Sequence, residues 1–181
     1  MFDESKHPRD SDGKFTDGNG EITSLPSAQR IVEKIPKSAW LNNKFHDEIV
    51  KVNLDSEIQK RFDNATPKER QKIAYRYIMD NLVGKYAARD GREVSISSVG
   101  ADKITHLNID VKLRVSPELA NLIKTGEFVG VIDVRHKRFS KMAYYKTMFQ
   151  IGNEKYVGLL NIGVRHNGES TIYDLNPFNK I

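Results

Sequence analysis

Apolar and polar positions alternate along the last third of the chain, and the alternation predicts strands from residue 127 to 175. Within 143–151, Tyr145, Thr147, Phe149 and Ile151 share one face, and Tyr144, Lys146, Met148 and Gln150 share the other. Residues 156–164 are apolar at nearly every position, as in a central strand covered on one face and partly on the other. Gly152-Asn153 and Asn167-Gly168 separate these runs from each other and from 170–175; both pairs tolerate the positive φ of two-residue hairpin turns. The short β-branched run 128–134 adds a fourth strand, and the four read as an antiparallel meander.

Upstream, the period lengthens. Thr66-Pro67-Lys68-Glu69 offers an N-cap hydroxyl, a proline at the first helical position and a capping-box glutamate. Ile73, Tyr77, Ile78 and Leu82 then form one stripe, with Gly84 placed for a left-handed cap. Asp55 can cap a helix carrying Ile58 and Phe62. A short helix at 29–35 ends before Pro36, and Trp40, Leu41, Phe45, Ile49 and Val52 fit helix or strand, with Trp40 a core anchor. Residues 93–97 alternate as a strand, 98–107 form a short helix ending near His106, and Ser116-Pro117-Glu118 opens another that Gly126 ends. The fold class expected is α+β, with N-terminal helices packed on a C-terminal antiparallel sheet of four to five strands. Residues 24–181 would make one domain, its helical part 24–92 and its sheet-rich part 93–181. Residues 1–23, polar and rich in Asp and Gly, read as a disordered or adaptable tail.

Charge divides the same way. The chain of 181 residues carries +5, yet residues 1–25 hold six acidic and three basic side chains, leaving about +8 on the rest. From Val134 to Asn153 there are five lysines or arginines and no acid: Arg135, Lys137, Arg138, Lys141 and Lys146. Such a segment either guards a sheet edge as solvated charge or contacts phosphates or an acidic partner. With His136, Tyr144 and Arg165 these residues are the candidate binding surface. The absence of cysteine excludes thiol catalysis, cysteine-type zinc sites and disulfides. No apolar run reaches membrane-spanning length and the opening residues lack a signal pattern, so the cytoplasm is the expected compartment.

Motifs for known chemistries are sparse. Asp10-Ser11-Asp12 with Glu21 imitates a calcium loop, but Lys14 and Phe15 stand where a ligand and a turn glycine are required. No phosphate-cradling loop, dinucleotide fingerprint or HExxH occurs, and His7, His46, His106, His136 and His166 lack ligand spacing. No cofactor or metal is expected. Asp133, Glu154, Glu169 and Asp174 would serve paired-carboxylate hydrolysis only if two faced each other. Metal-independent RNA cleavage remains open, since it needs a base, an acid and cations on the phosphate. His106, His136 and His166 are candidates for the acid and base, although each also fits an ordinary role: a helix C-terminus, loop surface and a tight turn.

Two stretches resemble known proteins. Asp3-Glu4-Ser5-Lys6-His7-Pro8-Arg9-Asp10, continuing to Gly13-Lys14-Phe15, resembles a leader recurrent in phage head-associated and other mobile-element proteins. Residues 93–175 resemble the large polyvalent protein-associated domains of phages and conjugative elements. The matching features are Ser95-Ile96-Ser97-Ser98, Thr105-His106, the helix from Pro117 to Lys124, Tyr144-Tyr145, Ile151-Gly152-Asn153-Glu154-Lys155-Tyr156 and Ile172-Tyr173-Asp174. Those domains are similar in layout to the barnase–EndoU–colicin–RelE nucleases, which cleave RNA without metal, but an evident Glu-Arg-His set is missing here. The resemblance implies a host-cell counter-defence protein that inhibits a nucleic-acid-targeting complex such as a CRISPR effector, without catalysis. The alternatives are a metal-independent ribonuclease and a virion-associated structural module.

Overall fold

The computed structural model describes residues 49–107 and 109–181. The tail, the calcium-like loop, His7, His46, the helix at 29–35 and Trp40 lie outside the described residues. Helix α1 (Ser56–Asp63) starts where the Asp55 carboxylate accepts the Glu57 N–H, 2.7 Å away. Helix α2 (Pro67–Asn81) carries the capping box that its sequence announces: Thr66 Oγ1 accepts the Glu69 N–H, and the Glu69 carboxylate accepts the Thr66 N–H. Its buried residues, Ala74 and Ile78, look into two clusters. Ala74 meets Phe62 of α1, and Ile78 enters the main core.

Three short helices follow. α3 (Ser98–His106) and α5 (Leu119–Thr125) occupy the predicted places, the latter opened by a 3-10 turn at Ser116–Glu118. Between them lies α4 (Asp110–Val115), which the alternation of Val111, Leu113 and Val115 does not suggest. Packing chooses the helix: Leu113 goes to Phe62 and Ala74, while Val115 goes to the main core.

The protein is α+β, but its sheet is mixed and has seven strands. β1 (Val50–Lys51), β2 (Gly84–Ala87), β3 (Glu93–Ile96), β4 (Glu127–Asp133), β5 (Phe139–Ile151), β6 (Glu154–Arg165) and β7 (Ser170–Lys180) run in the order β1-β5-β6-β7-β3-β2, with β4 also on β5. The expected antiparallel meander is its β4-β5-β6-β7 part. Two parallel pairings widen it, β3 onto β7 and β1 onto β5. Ser95 and Thr171 reinforce the first, since Ser95 Oγ donates to the Ser170 carbonyl and Thr171 Oγ1 to the Ser95 carbonyl. Gly84 is not a helix cap but the first residue of β2; the Leu82 carbonyl at the helix end accepts from the Tyr86 hydroxyl instead.

The β5–β6 turn holds the predicted two residues, with Gly152 at φ 58°. The β6–β7 turn is longer. His166, Asn167 and Gly168 loop out between Arg165 and Glu169, whose backbones pair at 2.8 Å, and Gly168 takes φ 88°.

One sheet face buries Tyr145, Phe149, Leu160, Ile162, Ile172 and Leu175 against Ile78, Ile104, Val115, Leu119, Leu122 and Ile123. A second cluster joins Phe139, Met142, Tyr144, Met148, Val157 and Leu159. β5 and β6 are therefore buried on both faces. No helix among the described residues is long and apolar enough to cross a membrane.

Candidate nucleic-acid interface

The basic segment divides once it folds. Arg135, His136, Lys137 and Arg138 form the β4–β5 loop, while Phe139, Ser140 and Lys141 already belong to β5. Arg135, Lys137, Arg138, Lys141 and Arg165 are exposed. Tyr144 and Lys146 are not, and neither can be a contact residue: Tyr144 is 0% exposed and Lys146 4%. Their positions on a strand covered on both sides decide this. Burial also pushes the Tyr144 hydroxyl well above the usual phenol range.

Two β-bulges build the centre of the site. On β5, Phe139 is opposite Arg165 but Lys141 is opposite Val164, so Ser140 is an extra residue. That insertion reverses the parity of Phe139, which joins Met142 and Tyr144 rather than Tyr145. On β7, Ile172 is opposite Ile162 and Asp174 opposite Asn161, leaving Tyr173 as the extra residue. Phe139 and Tyr173 then meet edge to face, with ring centroids 5.6 Å apart. Gly163 makes room for this contact, because a Cβ there would stand 2.5 Å from the Phe139 ring.

Polar groups collect around these rings. The His136 imidazole stacks with Phe139 at 5.1 Å and 14°. Lys103, reaching across from α3, holds its ammonium 5.4 Å from the Tyr173 ring centroid. The Arg138 N–H donates to His136 Nδ1 at 3.1 Å. His166 Nε2 lies 3.3 Å from the His136 carbonyl oxygen, which can only accept, so that nitrogen carries the proton. Neither Lys103 nor Arg138 pairs with a carboxylate among the described residues.

The structure thus brings His136 and His166 together and leaves His106 apart. His106 ends α3, where its carbonyl accepts from Gln71, and it lines a shallow groove with Lys72, Tyr75, Arg76 and Asp102. The pairing of His106 with His136 as acid and base therefore has no geometric support. Nor do the sheet carboxylates face one another: Asp133 pairs with Lys141, Glu154 with Lys180 and Asp174 with Lys112, while Glu169 accepts from Asn167. No group of three His, Asp or Glu side chains among the described residues could hold a metal ion.

Partial burial holds the His136 imidazole below its ordinary value of 6.5, and the charges of Arg138, His166 and Lys103 push the same way. The unfolded chain binds this proton more readily, so the imidazole contributes to stability above about pH 6.5 and loses that contribution as pH falls below it. Titration by NMR should find His136 with a midpoint under 6.5, moved upward in Arg138→Ala. A midpoint at or above 6.5 would contradict these surroundings.

One family's sequence pattern, described as large polyvalent protein-associated domain 3, matches residues 65–173, more than half of the chain. The chain belongs to that family. Polyvalent-protein domains of this kind are associated with phages and mobile elements. The match runs from the α2 cap to Tyr173 and so takes in Lys103, His136, Phe139 and His166. No curated protein and no solved structure matches the chain. Sequence reasoning missed three parts of the candidate site in this polyvalent-protein domain: Lys103, Phe139 as a ring platform, and Tyr173. The bulges that unite them leave no local sequence signal.

Proposed function

We propose that this polyvalent-protein domain is a counter-defence module that engages a host nucleic-acid-targeting complex, in the manner of an anti-CRISPR protein, without catalysis. The observation that carries the reading is the cluster of Lys103, Arg138 and two histidines around one aromatic centre, with Lys137 exposed on the same loop and Arg165 exposed on the strand paired with β5. Cations fixed on a sheet end suit phosphates, or an acidic surface that imitates them. Family membership supplies the mobile-element context.

The protonation pattern supports binding over cleavage. Because Nδ1 of His136 accepts from Arg138, the neutral ring keeps its proton on Nε2. A neutral imidazole N–H is a hydrogen-bond donor to phosphate but a weak acid for a leaving oxygen. Triple reversal Lys137→Glu/Arg138→Glu/Arg165→Glu should abolish inhibition of the target complex and weaken its binding by more than about tenfold. The melting temperature should stay near that of the unaltered chain. Unchanged inhibition would remove this surface from the reading.

Metal-independent RNA cleavage is the second reading, favoured by the contact between His166 and His136. It requires His136 to be protonated, so its rate would climb as pH falls below about 6.5, survive chelator and vanish in His166→Ala. RNA left intact across that range would dispose of it.

A further inference from the structure

We infer that the ligand of this patch is a single-stranded nucleic acid, one of whose bases stacks on the His136 ring, itself stacked on Phe139, while flanking phosphates meet Lys103 and Arg138. The inference rests on the phosphate-binding reading above and adds which form of nucleic acid is taken.

The platform is built rather than incidental. Phe139 is 1% exposed and acts as the fixed centre, with the half-buried rings of His136 and Tyr173 on it at 5.1 and 5.6 Å. Four chain segments converge to make it: α3 through Lys103, the β4–β5 loop and the start of β5, the β6–β7 turn through His166, and the β7 bulge through Tyr173. Close packing of α3 on β7 sets the position of Lys103, since Gly100, one turn earlier, lies against the Ile172 backbone. The acids nearest in sequence are accounted for: Asp102 is exposed beside Lys103, and Asp133 is 3.9 Å from Lys141.

Aromatic rings interleaved with cations form the usual platform for unpaired bases, because every base offers a π-face and every nucleotide a phosphate. A duplex offers this patch only its phosphates, for its bases are already stacked. Neutral His136 fits a stacking role, and its Nε2–H can still donate to a phosphate or a base edge.

The test uses the full chain in chelator and reads fluorescence anisotropy with three labelled probes. These are a twelve-nucleotide oligothymidylate, an abasic strand of the same length and charge, and a twelve-base-pair duplex, each at two salt concentrations. The expected result is binding of the base-bearing strand at least about tenfold tighter than of the abasic strand or the duplex. His136→Ala should erase that preference while leaving salt-dependent binding of the abasic strand. Equal affinity for strand and abasic strand, or tighter binding of duplex, would overturn the stacking inference and leave the phosphate reading standing. Failure to bind any of the three at low salt would overturn both.

Discussion

Lys112→Ala is expected to cost about 3–5 kcal/mol of folding stability. Lys112 stands on α4 at 1% exposure, and its ammonium donates to Asp174 Oδ1 on β7 at 2.5 Å. The same oxygen accepts the Leu175 N–H, and Asp174 is only 13% exposed. Truncating the lysine leaves a carboxylate poorly hydrated and without its counter-ion, a cost that its desolvation dictates. For a domain whose whole stability is on the order of 5–15 kcal/mol, the change can remove a large share. Denaturant unfolding of the single variant and of Lys112→Met/Asp174→Asn separates the causes. The double variant should recover much of the loss, since it removes the orphaned charge and keeps the packed stem. A loss below about 0.5 kcal/mol in Lys112→Ala would show the pair to be dispensable.

Gly100→Val is the second large effect, expected at about 3 kcal/mol. A Cβ at Gly100 would lie 2.6 Å from the Ile172 carbonyl oxygen and 2.7 Å from its Cγ2. The nearer obstacle is backbone in a paired strand, so α3 itself must back away from β7. Glycine is a poor helix former, but valine is a weak one too, so relief of that defect would offset less than about 1 kcal/mol. Thermal unfolding should show the drop, and Ser98→Ala, at an exposed position of the same helix, should leave the midpoint nearly unchanged. The displacement also moves Lys103 relative to Tyr173, so the variant should bind the oligothymidylate more weakly even at temperatures where it stays folded. A variant as stable as the original would mean that α3 and β7 do not meet closely at Gly100.

Elements whose cause lies within a few residues were legible in the sequence. The Thr66–Glu69 box fixed the start of α2, the period-two runs gave β4 to β7, and Gly152 and Gly168 marked the turns at positive φ. Exposure of Arg135, Lys137, Arg138, Lys141 and Arg165 followed from their charge. Lys146 broke that rule, because it sits mid-strand on a sheet covered on both faces, and Tyr144 shares its fate for the same reason. Parallel pairing of β3 with β7 joins segments 75 and more residues apart, and no local pattern encodes such a partner.

By itself, then, the sequence determined the α+β class, the four-stranded meander, the α2 boundary and the basic character of the β4–β5 loop. Each follows from local hydrogen bonding, side-chain alternation or charge. Only the tertiary structure decided the seven-stranded mixed sheet, the burial of Tyr144, Lys146 and Lys112, and the meeting of His136, Phe139, Tyr173 and Lys103. The last of these depends on two single-residue bulges and on the close approach of α3 at Gly100. A bulge shifts register by one residue and thereby moves a side chain to the opposite face, which is a property of paired strands rather than of either strand alone.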